Sequence, residues 1–321
     1  MAKALPAWPL IGGEEDLRRF IAQRAVQLVI VLVGASSIVF VLMHATGDPV
    51  ALLVPADASV ERIEELRELM GFNDPFLVQY FRFLRNVLTG RFPPSIVYGE
   101  SPVRLLLERL PATLLLGVAS VCFACVVAFP IGLTTAWRRD ALLSTWVMGL
   151  AIIGYSTPVY WGGLLLILVF SVALRWLPAS GSGTLAHLVL PAVSLGTQIA
   201  ALLVRMIWST SVEVIGEDYI RTARGKGLSD SVILRKHVLR NSMIPVVTVL
   251  GLETAGTLGN AIMTETIFAW PGIARLTVQA ILYRDYPLVQ ACVLFMAGIV
   301  VLTNLLVDII YVYLDPRVRL A

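Results

Sequence analysis

Three groups of residues could carry chemistry in this chain. Two of them fail on their own spacing. Gly225-Lys226-Gly227 is the nearest approach to a phosphate loop. A working loop needs G-x-x-x-x-G-K-[ST] after a strand, so that backbone N–H groups cradle the phosphates and a hydroxyl reaches magnesium. Here Gly227 stands where the hydroxyl belongs, Ile220 stands where the first glycine belongs, and no strand fits. Cys122 and Cys125 form a C-x-x-C, but they lie in an apolar run, as does Cys292. Zinc or redox chemistry needs thiolates with polar access. The cysteines therefore read as small packing residues, with no disulfide framework. His44, His187 and His237 are scattered over different loops and span ends, and neither G-x-S-x-G nor H-E-x-x-H occurs. The chain reads as a non-enzyme with no catalytic residue, cofactor site or metal site of its own.

The third group is polar residues inside apolar runs. Such groups are costly in a bilayer and mark function by default. Glu253 lies in the middle of one run, and residues 253, 257 and 260 share a helical face, which groups Glu253 with Thr257 and Asn260. Three readings stay open for Glu253: lining an aqueous path to meet a charged substrate, being protonated, or pairing with a neighbouring subunit. Asp308 lies about six residues from the inner end of its run, roughly 9 Å at helical rise, within reach of the interface. Glu265 and Trp270, with Pro271 and Gly272, lie just beyond the run that holds Glu253 and look like a re-entrant outer loop.

These residues belong to a chain that is itself membrane-like. Of its 321 residues 57% are hydrophobic and 15% charged, with a mean hydropathy of +0.80. Soluble domains are nearer a quarter charged, so one soluble core cannot hide this much apolar surface. A net charge of +3 gives no reason to expect nucleic acid. A requirement for about 20 apolar residues in a row places six spans near 25–43, 112–136, 146–174, 188–209, 243–264 and 288–313. Ser156-Thr157-Pro158 predicts a kink in the third. Gly149, Gly154, Gly162, Gly163, Gly251, Gly256 and Gly259 read first as packing glycines that let helices approach closely.

The spans divide the chain. Residues 1–24 form an N-terminal extension, poorly ordered to residue 13, with a short surface helix over Glu14–Arg24. The first span, 25–43, is followed by a long loop, 44–111. In it, Val60 to Met70 has apolar residues at helical spacing, and Pro75 to Leu88 puts Phe76, Tyr80, Phe83, Leu84 and Val87 on one side. A small helical cap is expected there, either as a lid or as a dock for a partner. Residues 112–313 are a five-helix core, and 314–321 a short tail. Arg18-Arg19 before an apolar run loosely resembles a twin-arginine signal, but no small-residue cleavage site follows, so the first helix reads as retained. With the N-terminus inside, fifteen of the twenty-five lysines and arginines fall in inside segments. The short outside loops hold only Arg175, Arg275 and Arg284. This bias puts both termini in the cytoplasm.

The same count places the polar segment Glu217–Pro245 inside. It holds six basic residues against three acidic ones, between two apolar runs. A topology signal needs lysine and arginine but no fixed glycine or helical pattern. This segment has both. Tyr219, Ala223 and Leu228 offer an apolar anchor, Arg221 and Arg224 put charge beside it, and Gly227 permits a tight turn into a second short helix from about Ser229 to Arg240.

Asp218-Tyr219-Ile220-Arg221-Thr222-Ala223-Arg224-Gly225-Lys226-Gly227-Leu228 resembles the EAA loop of importer-type ABC permeases, most of all the B-type subunit of the dipeptide, oligopeptide and nickel branch. Thr222-Ala223 stands for the family's Ala-Ala pair and Gly227 for its glycine. Gly47-Asp48-Pro49, Glu108 to Thr113, Trp176 to Gly181, Glu265 to Gly272 and Leu314 to Arg319 agree as well, so the match runs over about residues 20–320. Residue 240 is arginine where the general family closes with proline. Glu253 stands where a neutral amide is expected.

The resemblance implies an all-α polytopic membrane protein of the type I importer permease fold, with six transmembrane helices, a cytoplasmic coupling helix within 217–240 and a periplasmic helical cap. It implies a short coupling helix that docks in a groove of a cytoplasmic ATPase, carried by Asp218, Tyr219, Arg221, Thr222, Ala223, Arg224, Gly227 and Leu228. The implied partners are a second, C-type permease subunit, two ATPase subunits that hold the ATP and magnesium, a solute-binding protein outside, and the bilayer of a bacterial or archaeal inner membrane. Short peptides are the implied substrate, with nickel, glutathione or opine-like solutes as the alternative within the branch. An ion-coupled secondary transporter is the competing class. It would use Glu253, but no internal repeat of the usual kind is visible.

Overall fold

The structure is a computed structural model that describes residues 14–45, 61, 64, 67–68, 73–138 and 142–314. Most of the expected Val60–Met70 helix, the Gly47-Asp48-Pro49 turn, residues 1–13, the tail from 315 and the side chain of Asp308 lie outside them. Every regular element among the described residues is helical.

Helix α1 (Glu14–Ala45) is unbroken, so no separate surface helix precedes the first span. Helix α2 (Phe76–Thr89) is the expected second helix of the cap. Its aromatic side docks on α1: Phe40 meets Phe83 at 5.5 Å and Tyr80 at 5.4 Å between ring centroids, and the Tyr80 and Ser37 hydroxyls are 2.7 Å apart. Gly90 ends α2 in the left-handed region at φ 65°, the usual glycine stop. Helix α3 (Pro102–Trp137) starts ten residues before the expected span, with proline in its first turn, where a missing N–H costs nothing. At 36 residues it is about 54 Å long, well beyond a bilayer core.

The third expected span is not one kinked helix. Helix α4 (Leu142–Ser156) and helix α5 (Val159–Leu166), which continues as a π-helical turn over Ile167–Ala173, meet at 106°. Pro158 has no N–H and keeps Thr157 out of the helical region. At the corner the Thr157 carbonyl accepts from Gln198, whose Nε2 lies 2.8 Å away on α6.

Helix α6 (Leu185–Gly216) is the hub, packed against α3, α4, α5 and the fifth span. Two glycines set its distance from α3. A Cβ on Gly196 would lie 2.5 Å from the Ser120 carbonyl, and one on Gly132 would lie 2.8 Å from Ile207. Neither stood out in the sequence. Of those that did, Gly163 is tight, against Ser194 and Phe268, whereas Gly149, Gly256 and Gly259 face open space within this chain.

After the loop at 217–229, Asp230–Val232 and the π-helical Ile233–Val238 run directly into helix α8 (Leu239–Ile267). The expected second short helix is therefore the root of the fifth span, not a separate piece. Helix α9 (Ile273–Leu282) and helix α10 (Tyr286–Leu314) complete the chain. Three helices, α3, α6 and α10, are long and apolar enough to cross a membrane, and the α4–α5 pair and the bent α8 add up to two more. Helix α1 holds the shorter apolar stretch Val26–Val41.

Candidate coupling and translocation site

The polar segment folds into helix α7 (Asp218–Gly225), set between extended Glu217 and a glycine turn. The Gly227 N–H donates to Arg224 at 2.9 Å and the Leu228 N–H to Ala223 at 3.3 Å, with Gly227 at φ 80°. This is the Schellman stop, whose left-handed residue is normally glycine. The turn expected at Gly227 is present.

The anchor differs from the expected one. Ile220 and Ala223 are the buried residues of α7, packed with Ile233 and Val238 and flanked by Leu133, Trp137, Val214 and Ile215. Tyr219 and Leu228 are 41% and 39% exposed. Only Ala223 of the three expected anchors points inward. Ile220 is three residues before Ala223, so the pair makes one apolar stripe on a helix. That spacing was the signal for Ile220.

The charged and polar residues divide between the two sides. The Arg224 guanidinium lies 4.8 Å from the ring centre of Trp137, at the end of α3, a cation–π geometry. Helix α7 is thus held by a third span besides the two that flank it. Arg221 pairs with Asp218 at 3.4 Å, with both side chains open to solvent, and such pairs contribute little. The Thr222 hydroxyl donates to the Asp218 carbonyl at 3.1 Å. Asn241 donates to the Tyr219 hydroxyl at 2.8 Å, and the His237 ring lies 6.4 Å from the Tyr219 ring. Tyr219, Arg221, Thr222, Lys226 and Leu228 remain on the open side.

The residues proposed for a path separate. Asn260 is exposed and Glu253 half-buried, on a strip of α8 with exposed Leu252, Gly256, Gly259 and Met263. Thr257 is buried, and its hydroxyl is spent on the Thr254 carbonyl one turn back. The shared face therefore holds for residues 253 and 260 but not for 257.

Glu265 and Trp270 are not on an open re-entrant loop. Both are buried in a knot that ties α3, α8 and α9 together. The Glu265 carboxylate accepts the Thr113 hydroxyl at 2.8 Å and the Arg275 backbone N–H at 3.0 Å. The Thr113 oxygen in turn accepts the Ile273 N–H at 2.9 Å. A helix start leaves its first N–H groups without partners. Here a hydroxyl and a carboxylate from two other helices supply them, and the charge suits a helix N-terminus. The Trp270 indole N–H donates to the Ala112 carbonyl at 2.9 Å. A Cβ on Gly272 would fall on the Glu265 carboxylate, so glycine is required there.

Residues 128–320 match the family described as the binding-protein-dependent transport system inner membrane component, and residues 17–117 match its N-terminal companion. The chain belongs to this family. It is 36% identical to the dipeptide transport system permease protein DppB of Alkalihalophilus pseudofirmus, over 92% of this chain and 98% of the relative. It is 38% identical to the oligopeptide transport system permease protein AppB of Bacillus subtilis, over 94% and 99%. It is 37% identical to the glutathione transport system permease protein GsiC of Salmonella paratyphi A, over 94% and 98%. Among solved structures, an inward-facing MetNI methionine ABC transporter matches with a TM-score of 0.57 at 21% identity, covering 66% of this chain and 97% of that one. That likeness concerns the fold.

Proposed function

We propose that this chain is the permease subunit of an ATP-driven importer for short peptides. It forms half of the translocation path with a second permease subunit. Two ATPases work from the cytoplasmic side, and a binding protein delivers solute from outside. The observation that carries this reading is the near full-length similarity to dipeptide and oligopeptide permeases, in a chain that presents α7 as a rigid, solvent-facing helix.

The residues divide the work. Ile220, Ala223 and Arg224 fix α7 to the membrane helices. Tyr219, Arg221, Thr222, Lys226 and Leu228 meet the ATPase groove. Gly227 sets the angle at which α7 leaves for α8, so a displacement of α7 is passed through the turn at 226–229 into the helical root of α8. Glu253 and Asn260 then face the path, and the negative charge at Glu253 favours the ammonium end of a peptide over an anion. An ion-coupled transporter is not favoured, because it would have no use for α7.

The expected outcome of purifying the chain with its neighbours is a complex that retains both ATPases and hydrolyses ATP. Glu253→Gln is expected to keep that complex intact and lower uptake of peptides with a free amino terminus. Unchanged uptake in Glu253→Gln would remove this residue from the path.

A further inference from the structure

At the end of the molecule opposite α7, the start of α9 and the outer part of α3 flank a half-open cavity of about 190 Å³ whose lining includes Tyr98, Arg109, Pro271, Arg275, Leu276 and Gln279. Two guanidiniums line it and no carboxylate does. Arg275 is already engaged: its Nη1 donates to the Ala269 carbonyl at 2.5 Å, and its backbone N–H is held by buried Glu265. Arg109 has no ion pair or hydrogen bond among the described residues. The acids nearby are committed elsewhere. Glu100 and Glu108 both face Arg104, at 3.7 and 3.0 Å. Asp285 is buried, accepts the Ser95 hydroxyl and the Val97 N–H, and caps α10 through the Leu288 N–H at 3.3 Å. Buried Glu265, beside Arg275, offsets that guanidinium, so the charge left open in the cavity is that of Arg109.

Its rim is built rather than loose. Tyr98 lines the cavity and Ile96 and Val97 precede it in the chain; the three are 39, 41 and 47% exposed. The Ser95–Asp285 bond and a turn closed by Ser95 N–H to the Glu100 carbonyl, at 2.8 Å, hold them in place. An exposed apolar and aromatic rim around an arginine is the anatomy of a protein-recognition hot spot. A guanidinium suits a carboxylate in a two-pronged pair.

We propose that this cavity is a carboxylate receptor, filled in the working importer by an acidic side chain of the binding protein. The proposal rests on the importer reading and names the contact that seats that partner. A free dipeptide would leave the rim in water, whereas a protein side chain arrives with surface that covers it.

The test uses the whole complex in nanodiscs and the purified binding protein encoded with it. Affinity is measured at low and high salt for wild type, Arg109→Ala, Arg109→Glu and Gln279→Glu, with exposed Arg91→Ala as the control outside the cavity. Gln279→Glu gives Arg109 a carboxylate from within, and so tests the site without removing the arginine. Arg109→Ala and Gln279→Glu are expected to weaken binding on the order of tenfold, Arg109→Glu more, each with a flatter salt dependence, while Arg91→Ala binds as wild type. Equal affinity in all the variants would overturn the proposal. So would unchanged affinity together with a selective loss of uptake for a dipeptide relative to its C-terminal amide, since the carboxylate would then be the solute's. A wild-type complex that holds no ATPase and binds no binding protein would overturn the importer reading itself, and the proposal with it.

Discussion

Gly227 carries more of the coupling loop's geometry than any charged residue in it. At φ 80° a side chain strains the backbone, although a Cβ there would meet no neighbour. A left-handed residue other than glycine costs about 1–2 kcal/mol, with asparagine among the least affected. Gly227→Val is therefore expected to reduce ATPase retention and ATP-driven uptake several-fold, while Gly227→Asn keeps most of both. Affinity pull-down and uptake assays read the difference. Glu265 makes the opposite case, a buried charge held by fixed donors. Glu265→Ala would leave the Thr113 hydroxyl and the Arg275 N–H without an acceptor, a loss of about 1–3 kcal/mol, read as a lower melting temperature in detergent. Glu265→Gln keeps one acceptor and should fall between. The sequence made Gly227 legible because one residue type fits one backbone region. It hid Glu265, because its partners Thr113 and Arg275 meet it only after α3, α8 and α9 have packed. Ile220 was visible in principle, but the polar character of its surroundings drew attention to Tyr219 and Leu228 instead.

At the scale of elements, spans were legible and their junctions were not. Apolar length pointed to α3, α6 and α10, which are long and apolar enough to cross a membrane, and to the bent pairs that add up to two more, while Pro158 marked the break in the third expected span. At the 106° corner the Thr157 carbonyl meets Gln198, some forty residues away in sequence, and no local pattern contains that bond. Close helix contact followed the same rule. Glycine count in a span did not reveal which glycines touch a neighbour, because that is set by the register between helices. Gly196 and Gly256 separate the two cases. Gly196→Ala forces a methyl against the Ser120 carbonyl and should cost on the order of 1–3 kcal/mol. Gly256→Ala meets nothing within this chain and should change the chain's own stability by no more than about 0.5 kcal/mol. Thermal unfolding of the two variants in the same detergent measures the contrast. If both melt alike, the α3–α6 contact does not control stability.

At the scale of the molecule, the chain has a hub, α6, packed against α3, α4, α5 and α8, and two distinct ends. One end presents α7, clamped by Ile220, Ala223 and the Arg224–Trp137 contact. The other is tied by the Glu265 knot and carries the arginine-lined cavity. Between them runs the open strip of α8 with Glu253 and Asn260. In the proposed reading the energy comes from the partner ATPases, and the Gly225-Lys226-Gly227 run of this chain belongs to the Schellman turn. The most direct test is ATP-dependent uptake of a labelled dipeptide into proteoliposomes holding the assembled complex, with wild type compared against Ala223→Glu. Ala223 is buried against the ends of α3 and α6, so a carboxylate there unseats α7 without touching the path. The account predicts uptake that requires ATP in wild type and is lost in Ala223→Glu, in a complex that still inserts in the membrane. Uptake that proceeds without ATP, or that survives Ala223→Glu unchanged, would contradict it.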